Sequence, residues 1–405
     1  MKWFKFALRN VLRNRRRSLV TIALIAVGAA AILATQGFSH HTNKMILERT
    51  INSTGGIIIS HADFFKRDEE KALEMGLSDY PSIISSLKAN SSIKHVLPSI
   101  HFNGMISNGD KTVIFYGIGR NALYFHRDDA EINFVSGVPL SMKPDPNKEP
   151  EIILGKDLAK SLKAAVGDSL TLMSTTANGT LNAIDFTVVG TVDAGINQLN
   201  KTLIYTHISD TQELLDTDKI HTLSIYLHDF AQIPLLLTEL QQKRPDLGIT
   251  PWSDHAETYN KVKKMFGSIF GVMGIIVFIM VAFSVSNTMS QAVVERTREI
   301  GTMGALGTSK ILIITNFIIE ALIIGAIGVA IGIILAFMAG FSLEILNAQM
   351  PPGPGFTNPY PLRLLISASL IIDTLISLLV ACFLASWFAA SRGVKKPIVE
   401  ALTHV

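Results

Sequence analysis

The residues best suited to chemistry are concentrated in the run Glu295-Arg296-Thr297-Arg298-Glu299-Ile300-Gly301-Thr302-Met303-Gly304-Ala305-Leu306-Gly307. Its charges are dense, and Ile300, Met303 and Leu306 are spaced for one face of a short helix. Glu295 with Arg298, and Arg296 with Glu299, have the spacing at which opposite charges pair across one helical turn. Gly301, Gly304 and Gly307 permit tight bends or close backbone approach. Such a helix suits docking on a soluble partner; on composition alone, a solvated connecting loop is the plainer reading. Glu320 and Asp373 stand alone inside apolar runs. A carboxylate there is costly, so each is either a coupling or proton-sensitive group or a buried hydrogen-bond partner that fixes helix packing, with Thr315, Asn316 or Ser377 within reach of such a role.

Other chemistries find little support. The chain has 11 histidines. Of these, His40, His41, His61, His95, His101 and His126 show neither a cysteine partner nor a second histidine at i,i+4, and no zinc-ligand spacing appears. Gly-x-Ser-x-Gly is missing, which disfavours a serine hydrolase. Gly-x4-Gly-Lys-Ser/Thr is missing too, so the chain carries no phosphate-binding loop of an ATPase. Asn52 and Asn178 head glycosylation acceptor sequences by pattern alone. The single cysteine, Cys382, cannot form an internal disulfide. A net charge of +3 gives no support to a nucleic-acid partner.

The elements that must position these residues are apolar. Of the 405 residues, 48% are hydrophobic and 17% charged, which is low in charge for a soluble protein. Four apolar segments, Ser18–Phe38, Met265–Val294, Ile311–Leu343 and Leu364–Ala390, are each long enough to cross a hydrocarbon core of roughly 30 Å. The first reads as an uncleaved signal anchor. Arg9, Arg13, Arg15, Arg16 and Arg17 precede the first span, and Arg392, Lys395 and Lys396 follow the last. Basic flanks prefer the cytoplasm, so both termini are expected there. The recurrence of Lys5, Arg9 and Arg13, and of Phe4, Leu8 and Leu12, suits either an amphipathic surface helix or a plain charged anchor.

The resulting map has a basic cytoplasmic segment at 1–17, spans at 18–39, 265–294, 311–343 and 364–390, and a large outer domain at 40–264. A short cytoplasmic helix falls at 295–310, a short outer loop at 344–363 and a cytoplasmic tail at 391–405. Gly328, Gly332, Ala336 and Gly340 form a stripe of small residues, as do Gly267 with Gly271 and Ala26 with Ala30 and Ala34. Such stripes let helices approach closely, against the chain's own spans or a partner's. In the outer block, strand-like runs at 56–60, 112–118, 151–154, 169–173, 186–192, 202–205 and 222–227 alternate with helical patterns at 81–88, 156–163, 211–215 and 231–242, which predicts one or two α+β units. The fold class is therefore a membrane α-helical protein with four spans and a large extracytoplasmic α+β domain between the first two.

Glu295-Arg-Thr-Arg-Glu-Ile-Gly301 followed by Gly304-Ala-Leu-Gly307 resembles the signature of the FtsX/MacB-like permease family of ABC transporters. The span with Glu320, Gly325, Gly328 and Gly332 continues the likeness. So do Leu12-Arg-Asn-Arg-Arg-Arg-Ser-Leu19, Ile152-Ile-Leu-Gly-Lys-Asp-Leu-Ala159, Val166-Gly-Asp168 and the tail Ala389-Ala-Ser-Arg-Gly-Val-Lys-Lys-Pro397 leading to Glu400-Ala-Leu402. Thr403 stands where the family commonly has a basic residue. The resemblance implies a non-catalytic membrane subunit that binds no cofactor, with ATP and Mg held by a separate cytoplasmic ABC ATPase dimer docked on residues 295–307. ATP-driven motion would pass to the outer domain, a process called mechanotransmission. The chain would pair with itself or a second permease among the membrane lipids. Size and layout are closest to the lipoprotein-releasing permeases, which implies a periplasmic domain, a Gram-negative inner membrane and a lipoprotein or other hydrophobic cargo. A tripartite efflux or export pump with a periplasmic adaptor, an FtsX-like regulator of a cell-wall hydrolase and a stand-alone receptor are the other readings.

Overall fold

The computed structural model describes residues 13, 15–62, 64, 76–130, 132–145, 147–352 and 357–394. The amphipathic stretch expected before residue 13, and the tail from Lys395 onward, lie outside the described residues. In chain order the first elements are α1 (Arg15–Thr54), β1 (Ile57–His61), α2 (Tyr80–Leu87), β2 (Ile93–Ser107), β3 (Thr112–Arg120), α3 (Leu123–His126), β4 (Asn133–Gly137), β5 (Glu151–Gly155), α4 (Lys156–Leu162), β6 (Ser169–Thr175) and β7 (Leu181–Asp193). There follow α5 (Asn197–Thr202), β8 (Leu203–His207), α6 (Ile208–Leu215), β9 (Thr222–Leu227), α7 (Ile233–Lys243), β10 (Leu247–Pro251), α8 (Glu257–Glu295), α9 (Thr297–Ala305), α10 (Lys310–Ile345) and α11 (Ala368–Gly393). The chain divides into two units, one of residues 1–44, 261–350 and 361–405, the other of residues 45–260 and 351–360.

The first unit is helical. Among the described residues, four helices, α1, α8, α10 and α11, are long and apolar enough to cross a membrane. The helices do not stop where the apolar runs stop. Residues 39–54 contain neither Gly nor Pro, so α1 continues until Gly55, whose φ of +87° suits glycine at a helix end. At the other extreme, α11 begins at Ala368 rather than Leu364, because the Ser367 hydroxyl accepts from the Leu370 N–H at 3.4 Å and caps it there. Gly328 and Gly332 of the stripe on α10 lie against α1. A Cβ on Gly328 would come within 2.7 Å of Ile25, and one on Gly332 within 2.5 Å of the Ala29 Cβ. Ala336 is fully buried, and Gly340 has ordinary contact with Leu364. Such small residues let apolar helices gain dispersion contact where water exclusion supplies no drive. Gly325 meets Cys382 of α11, and Gly28 meets Val277 and Val281 of α8. Gly267 and Gly271 of α8, by contrast, have open space beside them.

The second unit is built on one ten-stranded sheet with the order β10-β1-β9-β2-β3-β8-β5-β7-β4. β6 pairs with both β2 and β7, so β2, β3, β8, β5, β7 and β6 form a closed circuit. Closure removes free strand edges, and the inward positions fill the interior with Ile100, Phe102, Ile106, Phe115, Leu172, Phe186 and Ile204. β3 with β8 and β5 with β7 are the parallel pairs, and the helices between the strands cover the parallel segments. Gly104 sits where the circuit bends, since a Cβ there would meet the Met173 carbonyl and the Phe115 ring. The open arm, β10, β1 and β9, packs Ile57, Ile59, Ile225 and Ile249 with Ile83 of α2 and Leu236 of α7. Residues 351–360 join this unit through Thr357. Its hydroxyl donates to Asp193 Oδ1 at 2.7 Å, and its N–H donates to the Gly195 carbonyl at 3.0 Å. The Asp193 carboxylate also accepts from Lys156 at 2.6 Å, Asn200 at 2.8 Å and the Gly195 N–H at 2.9 Å.

Candidate coupling site

The charged run straddles a one-residue break. α8 ends at Glu295, Arg296 forms a turn, and α9 begins at Thr297. The Thr297 hydroxyl donates to the carbonyls of Val293 and Val294 and so closes the end of α8 with its own side chain. At the break Arg296 points into the helical unit. Its Nη1 donates to Glu320 Oε2 at 2.9 Å and its Nη2 to Oε1 at 3.3 Å. The two side chains are 5% and 4% exposed, so the fork-on-fork pair is desolvated and hydrogen-bonded at both oxygens. The Phe317 ring lies 6.0 Å from the guanidinium carbon.

This corrects the local pairing expected from the spacing. Arg296 is taken by Glu320 on α10, not by Glu299. Glu299 accepts from Arg13 at 3.4 Å and Glu295 from Arg17 at 3.0 Å. The break at Arg296 turns the side chains away from a single helical face, and the four-residue spacing of Arg13, ahead of α1, and Arg17, within it, matches that of Glu295 and Glu299. Glu320 likewise uses none of the partners expected for it. The Thr315 hydroxyl donates to the Ile311 carbonyl and the Ser377 hydroxyl to the Thr374 carbonyl, while Asn316 is buried with its Oδ1 unpartnered. Asp373 is not brought to Glu320. It lies exposed in the second turn of α11, with no partner among the described residues. A hydroxyl pair, Thr21 with Thr288 at 2.8 Å, ties α1 to α8 within the core.

α9 thus has a fastened side and a free side. Ile300 is buried, Gly301 is enclosed, and Met303 packs on the same core. Leu306 does not extend that face as its spacing suggested; it is 82% exposed. The helix ends at Ala305 and the chain turns at Gly307, whose φ is +86°, so Leu306 leaves the helical register. Arg298, Thr302, Ala305 and Leu306 form the free side. Among the described residues, no group of three or more His, Cys, Asp or Glu side chains could hold a metal ion. The signal that could have revealed the partners was the matched four-residue spacing of arginines and glutamates, but nothing local joins segments 286 residues apart.

Four long apolar helices with an α+β domain inserted after the first, and a charged helix between the second and third, describe an ABC transporter permease. The sequence matches the MacB-like periplasmic core domain over residues 18–243 and the FtsX-like permease C-terminal domain over residues 271–398. The chain belongs to the FtsX/MacB-like permease family, and its spanning helices and periplasmic-type domain are those of an inner-membrane protein. It is 22% identical to the lipoprotein-releasing system transmembrane protein LolC of Neisseria meningitidis serogroup B, over 96% of this chain and 94% of that one. It is 24% identical to LolE of Haemophilus influenzae, over 95% and 93%. The macrolide export ATP-binding/permease protein MacB of Aggregatibacter actinomycetemcomitans is 25% identical, over 83% of this chain and 52% of that longer one.

Proposed function

We propose that this permease converts the opening and closing of a separate ATPase into movement of its inter-span domain, with the ATPase docked on the free side of α9. The observation that carries this reading is the division of α9 itself. One side of α9 buries Ile300, packs Met303 in the helical core and pairs Glu299 with Arg13; the turn before it is held to α10 by Arg296–Glu320 and the end of α8 to α1 by Arg17–Glu295; the other side of α9 is left free. A push on the free side therefore reaches two long helices through specific bonds. Coupling of this kind requires elements with discrete positions rather than a soft linkage. In this reading both termini and α9 face the cytoplasm, as the basic cluster at 13–17 favours. ATP and Mg are held by the ATPase, and the permease works as a dimer with itself or a second permease. The full-length likeness to lipoprotein-releasing proteins supports a lipoprotein, or another hydrophobic molecule, as the cargo.

The test removes the free side without touching the fastened one. Arg298→Glu combined with Leu306→Asp should cut recovery of the ATPase that co-purifies with the tagged wild-type chain by roughly tenfold or more, as loss of a central interface contact does. The variant should still be found in the membrane fraction. Undiminished recovery and undiminished ATP turnover would remove α9 from the docking role.

A further inference from the structure

The last turn of α1 contains no basic residue, although it sits at the negative end of a 40-residue helix. The missing positive charge comes from 75 residues downstream. Arg127 Nη2 donates to the Asn52 carbonyl at 2.6 Å. Beside it, the Tyr226 hydroxyl donates to the Ser53 carbonyl at 3.3 Å. The two donors are stacked, with the Arg127 guanidinium carbon 3.9 Å from the centre of the Tyr226 ring and 5.1 Å from that of Tyr124.

Arg127 is 6% exposed, yet it forms no two-pronged pair with a carboxylate. Asp129 Oδ1 approaches its Nε at 3.7 Å, and neither its Nε nor its Nη1 has a hydrogen-bond partner. A second arginine, Arg120, is 8% exposed and lies 4.0 Å over the other aromatic surface, Tyr124. Burying a guanidinium without a full counter-ion is unfavourable, so aromatic faces and helix-end carbonyls must compensate here. The residues are therefore arranged to hold a helix end.

Thr54 is followed by Gly55 and Gly56 before β1 begins at Ile57. Both glycines are buried against the sheet, the Gly56 N–H donates to the Ile225 carbonyl at 2.8 Å, and Ile51 packs in the sheet's core. Those contacts hold the apolar side of the helix end and leave the carbonyls of Asn52 and Ser53 to be held by side chains. Arg127, from the segment after β3 and α3, and Tyr226, on β9, add two side-chain bonds in parallel with those contacts.

We propose that Arg127, stacked on Tyr226, is the positioning residue that makes the end of α1 rigid with the sheet domain, so that displacement of α1 moves the domain. This rests on the transmission reading above. The experiment uses the full chain with its co-purifying ATPase in lipid nanodiscs, and hydrogen exchange of residues 48–61 and 222–227 with and without vanadate-trapped ATP. In the wild type, trapping should change exchange in both segments. In Arg127→Met, ATP hydrolysis should stay within about twofold of wild type while the trapping response at 222–227 falls by roughly fivefold or more. Arg127→Lys keeps the charge and should restore part of the response. Tyr226→Phe removes one hydroxyl while keeping the ring, and should give an intermediate loss in a protein that folds normally. A wild-type-sized response in Arg127→Met and Tyr226→Phe would overturn the proposal and leave the transmission reading standing. No trapping response in the wild type would overturn both.

Discussion

Two of the buried arginines, Arg296 and Arg127, are stabilised by different chemistry. Arg296 lies on a carboxylate with both of its terminal nitrogens engaged. Arg127 lies on tyrosine rings and donates to a helix-end carbonyl. The Arg296–Glu320 pair has neighbours of the same type, Arg17–Glu295 and Arg13–Glu299, although both are more exposed than it is. A guanidinium stacked on tyrosine and aimed at a carbonyl has one productive geometry. The first arrangement suits a joint that re-forms in more than one position; the second suits a fixed bearing.

Single and paired substitutions separate the two cases, and the largest effect belongs to Arg296. Replacing Arg296 or Glu320 alone by Leu strands the other charge in the core and should cost about 3–5 kcal/mol. The double variant Arg296→Leu with Glu320→Leu should recover most of that stability while losing ATP-driven transport. Thermal unfolding in detergent and transport by the reconstituted complex measure the two arms. If the double variant were as unstable as the singles, the pair would be holding more than each other.

Arg127 should behave differently, because its neighbour Asp129 keeps the Lys94 ammonium at 3.2 Å when Arg127 is removed. Arg127→Met is expected to cost about 1.5–3 kcal/mol, the range for a hydrogen bond from a charged group. Arg127→Met with Asp129→Asn should restore little of it, and the same melting assay decides. Recovery as complete as for Arg296 with Glu320 would erase the distinction drawn between the sites.

The sheet domain also carries a pH dependence that the ion pairs do not explain. Burial lowers His221 to about 4. Burial, with the nearby charges of Arg120 and His221, lowers His101 to about 3. Both are therefore neutral when folded, and the unfolded chain takes up their protons first. Stability should fall as pH drops below about 6.5, and His221 alone should account for about 2 kcal/mol by pH 5. His221→Gln should flatten the profile of melting temperature against pH between 7 and 5. An unchanged slope would place the dependence elsewhere.

The smallest effect is expected at the rim. Arg13 and Glu299 are each more than half exposed, so Arg13→Ala should change stability by less than about 1 kcal/mol. Raising salt should shrink the difference further, which unfolding at low and high ionic strength would show.

What could be read from the sequence follows from where its signals are local. The apolar runs mark the long helices, and Thr222–Leu227 reads as the strand it forms because it is a short β-rich run between turns. β2 escaped notice because Pro98, His95, His101 and Asn103 interrupt its alternation, yet it is the longest strand, at 15 residues. It tolerates them because it is paired along its whole length, residues 93–99 with β9, 99–107 with β3 and 104–107 also with β6. β10, which contains Gly248 and Pro251, is missing from the strand-like runs and is held as a strand by β1. In the candidate site the charged residues were identifiable by type but not by partner. Glu320 gave no sign of Arg296, since a buried pair across two helices depends on how those helices pack, and that is written in Gly325, Gly328 and Gly332 rather than in the charges.

Asp193 bears on the order in which the protein is built. Translation completes residues 45–260 before Thr357 exists, so Lys156, Asn200 and Gly195 can gather around Asp193 while the later helices are still being made. The remaining hydroxyl, that of Thr357, arrives with the segment between α10 and α11. The donor set of Asp193 is thus completed by a segment made about a hundred residues after the rest of the sheet domain, and only once α10 has been synthesised.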